Sequence, residues 1–194
     1  MVNKLAAPAR WLGRGLVGLG VWGLAWGAIG GIPSPAAPPP DRDPVVQLRT
    51  VKHCRGCDLR YRDLTGLDLQ DADLRSANLY GAQLQGVNLQ RANLQGANLG
   101  AADCARADLR GANLHRANLR SANLSAAMLD RVDLTHSNLM FTDLRGASLA
   151  NANLRDANLL NIRSEGADLC GAVLPNGTPI RQTCYGPKPE PNKI

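Results

Sequence analysis

Five cysteines and three histidines carry most of the reactive chemistry in this 194-residue chain. Cys54 and Cys57 form a C-x-x-C pair, a spacing open to a local disulfide, a redox couple or two free thiols. Cys170 and Cys184 stand 14 residues apart near the C-terminus, and Cys104 stands alone. His115 and His136 are 21 residues apart, with no carboxylate or thiolate read beside them, so no metal site is assigned. There is no Ser-His-Asp order, phosphate-binding loop or G-x-G-x-x-G turn, and the carboxylates are scattered. No catalytic residue and no cofactor are therefore assigned, and the chain is read as not an enzyme. Redox catalysis by Cys54 and Cys57 would want a strand–helix–strand setting that the surrounding residues do not supply.

What those side chains can do depends on the backbone that carries them. From Leu59 to Leu174 a leucine recurs every fifth residue through 24 units, replaced only by Cys104 and Ser164. The residue two before it is mostly alanine and the one between is mostly Asn or Asp, as in "ANLHRANLRSANLS". A helix advancing 100° per residue would scatter such leucines around its whole circumference. A straight strand would send alternate leucines to opposite faces. A right-angled turn after each quintet resolves the conflict, because every leucine then points at one axis and residues twenty apart stack. The expected fold is all-β, a quadrilateral β-helix of about six coils over residues 54–174, stacked at roughly 4.8 Å per coil. In that register Asn78, Asn98, Asn118, Asn138 and Asn158 form an amide column. Cys104 and Ser164 fall in one core column, with Ile162 beside Ser164 making up volume.

The formal charge of +6 comes from the ends. Between Cys54 and Leu174, 13 arginines meet 13 Asp and Glu, so no nucleic-acid partner is expected. Residues 1–36 read as a signal peptide or membrane anchor. Lys4, Arg10 and Arg14 precede the uncharged run 15–32, and small residues stand before a cut ahead of Ala37. Residues 37–53 read as a Pro-rich linker and 175–194 as a C-terminal cap and tail. The chain is accordingly expected in a periplasm or thylakoid lumen, with N-terminal membrane contact where the leader is kept.

The A(D/N)LXX quintets resemble the pentapeptide-repeat family, over about 120 residues, and the flanks "CRGCDLRYRDL" and "LCGAVLPNGTPIRQTC" resemble those of cyanobacterial members. The resemblance implies a right-handed β-helix. It also raises one rival function, since some cytosolic members mimic B-form DNA and inhibit DNA gyrase. That mimicry requires a strongly acidic surface, which a neutral repeat body lacks.

In the stacked register six coils separate the two cysteine pairs, so only local disulfides can form. Cys170–Cys184 is the expected tie, holding the tail over the end of the stack, while Cys104 is expected as a buried thiol. Tyr61, Tyr80, Met140, Phe141 and Leu160 fall on one side, with Gly100 and Ala101 as a small notch between them. A one-sided apolar stripe suits protein contact, either with an unidentified partner or with a second copy. The chain is thus expected to be a non-enzymatic exported scaffold, with a C-x-x-C redox module and a DNA mimic as alternatives.

Overall fold

The structure, a computed structural model, describes residues 43–180. The expected leader at 1–36 and Cys184 lie outside the described residues.

From His53 onward one β-bridge forms in every quintet, each parallel and each to the residue twenty positions later, from His53↔Asp73 to Asn153↔Val173. The bridging residue is the one before each leucine. The quintet Ala77–Gly81 shows why the sequence adopts this coil. The Asn78 N–H donates down to the Cys57 carbonyl (2.8 Å), and the Leu79 N–H donates up to Asn98 (2.7 Å). Gly81 donates up to Gly100 (2.9 Å), and Ala82 closes the turn on the Leu79 carbonyl (3.0 Å). One N–H is left, that of Tyr80, and the Asn78 side chain accepts it at 3.3 Å. All five donors are satisfied, as buried or half-buried backbone requires. The Asn or Asp before the leucine is therefore the turn's fifth acceptor, in an Asx arrangement repeated along the chain.

Each corner places its second turn residue at positive φ. Glycine serves there at Gly81, Gly86 and Gly96, but fifteen described non-glycine residues also adopt it, Ala126 (φ 55°) and Arg116 (φ 57°) among them. The fifth residue of each quintet thus carries left-handed backbone of the kind a type II turn demands.

Inside, leucines and alanines form one continuous buried column, with Cys104 taking a leucine site. Ser137 and Thr142 replace inward alanines, and their hydroxyls donate to the Leu134 carbonyl (2.6 Å) and the Leu119 carbonyl (2.8 Å). Cys54 is also buried, so the core begins one quintet before Leu59.

The first end of the stack is covered by a helix and one edge of the last coil by a hairpin. The segment read as a linker over 37–53 carries a helix instead, α1 (Pro44–Val51). Asp43 caps it by accepting the Val45 N–H at 2.9 Å, Pro44 opens it, and Lys52 ends it in the left-handed region. Its Leu48 is fully buried and joins the core. The linker reading missed α1 because prolines upstream masked a single apolar residue aimed at the stack. At the other end Val173 bridges Pro179 antiparallel, and the Ile180 N–H donates to Ala172 (2.8 Å). This hairpin pairs one edge of the last coil, which would otherwise template pairing with other chains.

Candidate contact surface

Turn residues sit outward, so the corner following the Leu79 column displays whatever the sequence places there. Tyr61 and Tyr80 meet edge to face, with ring centroids 5.7 Å apart. Glycines one coil up admit both rings. A Cβ on Gly81 would lie 2.6 Å from the Tyr61 ring, and one on Gly100 would lie 3.1 Å from the Tyr80 ring. The expected notch is thus partly filled: Gly100 is the seat of Tyr80, while Ala101 and Ser121 are exposed. Higher on the same corner the Arg120 guanidinium lies 5.5 Å from the Phe141 centroid. Tyr61 (67%), Phe141 (46%) and Leu160 (55%) are well exposed and Tyr80 somewhat less, while Met140 is half-buried. The stripe is therefore two apolar patches, a tyrosine pair and a Met140–Phe141–Leu160 group, divided by Arg120. The sequence reading passed over Met128, 37% exposed on another face, where a methionine stands in a column of Asp and Asn. That break in the column was its signal.

Beside the patches the amide column forms hydrogen bonds. Asn98 donates to Asn78 (3.1 Å), Asn118 to Asn98 (2.9 Å) and Asn138 to Asn118 (3.4 Å). The column stiffens the flat face that carries the patches.

Charge on the other corners is largely internal. In four Asp-Leu-Arg quintets the arginine folds back on the carboxylate two residues before it, at Asp58–Arg60, Asp73–Arg75, Asp108–Arg110 and Asp143–Arg145. The guanidinium hydrogen bond from Arg75 pulls the Asp73 carboxyl down to about 2, and Arg60 does the same to Asp58.

The cysteines divide by depth. Cys54 and Cys57 form a disulfide with Cα atoms 5.3 Å apart, spanning the first corner, and Cys54 is buried. Cys104 is a buried free thiol whose pKa burial pushes up to about 12. Cys170 is disulfide-bonded. The pairing expected for it names Cys184, outside the described residues.

His115 and His136 pack edge to face at 5.4 Å. His115 Nδ1 lies 2.6 Å from Thr135 Oγ1, and His136 Nε2 lies 3.7 Å from Asp156. That carboxylate was overlooked, although it stands twenty residues after His136. Among the described residues no three potential ligands gather to hold a metal.

A family profile for pentapeptide repeats matches in 8 copies, over residues 53–91, 88–125, 117–159 and 147–176. No curated protein matches. Among solved structures the chain is similar to a pentapeptide repeat protein (Rfr23) from the cyanobacterium Cyanothece 51142. Identity is 26% and the TM-score 0.41, over 64% of this chain and 91% of that one. It is also similar to QnrB1, a plasmid-mediated fluoroquinolone resistance protein, at 21% identity and TM-score 0.38, over 61% of this chain and 65% of that one. A third is a pentapeptide repeat protein from the Arabidopsis thaliana thylakoid lumen, at 28% identity and TM-score 0.32, over 61% and 66%.

Proposed function

The chain belongs to the pentapeptide repeat family, and from that premise we propose that it is a non-enzymatic exported scaffold. It binds protein, an unidentified partner or a second copy, through the corner bearing Tyr61, Tyr80, Met140, Phe141 and Leu160. The observation that carries this reading is the pair of exposed apolar patches gathered on one corner of the repeat body. The seating of Tyr61 over Gly81 and Tyr80 over Gly100 restrains the two tyrosine rings before any partner arrives, which lowers the ordering cost of association.

Export is supported by the apolar run 15–32 and by the Cys54–Cys57 disulfide, which suits an oxidising compartment. Among the described residues no helix is long and apolar enough to cross a membrane. A redox role for Cys54 is disfavoured by its burial, since thiol–disulfide exchange needs an accessible sulfur. The gyrase-directed alternative lacks its physical requirement, because the carboxylates of the repeat body are matched and in several places clamped by arginine.

The test is a Tyr80→Asp/Phe141→Asp double variant set beside Ala150→Asp, which lies on the opposite face. Sedimentation velocity on the pure chain and affinity capture from an envelope fraction are the readouts. The double variant should lose self-association or its captured partner while Ala150→Asp keeps it. Identical profiles for all three proteins would defeat the reading.

A further inference from the structure

Arginines on this solenoid meet carboxylates in two recurrent registers. An Asp stands two residues before, as Asp58 does for Arg60, or twenty before, as Asp71 does for Arg91. Arg55 and Arg116 have neither, and the same holds for Arg106, Arg120, Arg131 and Arg155; what sets the first two apart is that they share one concavity. Two before Arg55 stands His53, and twenty before Arg116 stands Gly96. Both are exposed, and among the described residues neither guanidinium has an ion pair or a hydrogen bond.

Those two arginines and Arg75 line a single concavity of about 260 Å³, with Ser76, Gln95 and Gly96 between them. Gly96 leaves its floor open, with Ser76 Oγ 3.7 Å from where a Cβ would stand. Arg75 is held by Asp73, so three guanidiniums face one carboxylate, leaving two positive charges uncompensated. A larger groove of about 540 Å³ makes the comparison useful. It is lined by Arg91, Arg110 and Arg131, but Asp71 and Asp108 clamp the first two and Asp130 lies in the groove itself. Size favours the larger groove and net charge the smaller one. For an anion, charge decides.

We propose that the concavity over Gly96 binds a phosphate-type oxyanion, either inorganic phosphate or the phosphate monoester of a small molecule. Arg55 enters from three coils below Arg116, about 14 Å of stack, so the two forks approach one anion from opposite sides. A tetrahedral dianion offers oxygens to both forks and neutralises both charges, whereas a carboxylate carries one charge and two oxygens. The site stands apart from the aromatic corner, so Tyr80→Asp/Phe141→Asp leaves it intact and the two readings fail separately.

The test is calorimetric titration of the full chain at low ionic strength with inorganic phosphate, O-phosphoserine and acetate. Phosphate or phosphoserine should saturate one site, and acetate should bind far more weakly. Arg55→Gln/Arg116→Gln should weaken binding about tenfold or more, the loss of one or two charge-assisted contacts. Arg91→Gln/Arg131→Gln in the larger groove should leave it unchanged. Arg55→Lys/Arg116→Lys, which keeps the charge and loses the forks, should fall between. Tighter phosphoserine identifies a monoester as the natural source, and tighter inorganic phosphate identifies the free ion. Absence of saturation, equal loss in both glutamine pairs, or acetate binding as tightly as phosphate overturns the proposal.

Discussion

At the scale of single residues, the corners hold the most direct tests. Ala126 sits at φ 55°, where an L-residue crowds its own carbonyl, so Ala126→Gly should stabilise the chain by about 1 kcal/mol. Gly86→Ala should cost about the same, because nothing lies within 4 Å of its Cβ and only backbone strain is added. Urea midpoints at constant slope would measure both. Titration adds two further windows. Arg75 and Arg60 hold Asp73 and Asp58 at about 2 against an ordinary 3.8. Lowered carboxylates favour the native state above the ordinary value, so stability should fall as pH drops from about 4 to 2. Cys104 works in the opposite direction. Its thiol stays protonated in the native chain to about 12, against an ordinary value of 9.0 that the unfolded chain regains. The unfolded state therefore loses its proton first, and stability should fall as pH rises from 9 towards 12. Cys104→Ala should make the alkaline slope shallower by the thiol's share in urea melts recorded across the range. An unchanged slope would mean that the thiol is solvated.

At the scale of the coil, leucines and the amide column bear different weights. Leu114→Ala opens a cavity in the middle of a fully buried column and should cost 2–5 kcal/mol, whereas Leu159 is only partly buried and should cost less. Asn118→Ala removes a donor to Asn98 and the acceptors for the Arg120 N–H (3.2 Å) and for Asn138, so about 1–3 kcal/mol should be lost. The coil itself was readable from the sequence, since a period of five with an inward leucine admits few other backbones. Less readable was why Asn or Asp precedes the leucine, because the donor it satisfies appears only once the turn is built. Helix α1 was missed for a related reason. One buried Leu48 makes no periodic pattern, and only the open end of the stack explains it. The notch at Gly100 was misjudged because a sequence column records which residue is small, not which neighbour leans over it.

At the scale of the whole molecule, the distribution of charge and apolar surface matters more than any single side chain. Carboxylates and arginines are matched over the repeat body, so neither a polyanion nor a polycation is presented to a partner. Among the outward groups left unmatched are one corner with two apolar patches and one concavity with two bare guanidiniums. The five residues of the stripe could be gathered from their spacing alone, but Arg120 dividing them, and its stacking on Phe141, needed the side chains in place. The most direct measurement is hydroxyl-radical footprinting of the chain in intact cells against the purified protein, read residue by residue. Tyr61, Tyr80, Met140, Phe141 and Leu160 should be shielded together in cells, while Met128, exposed on a different face, should label equally in both. Uniform labelling of the stripe in the two samples, or shielding of Met128 with the stripe left bare, would contradict a contact role for this corner.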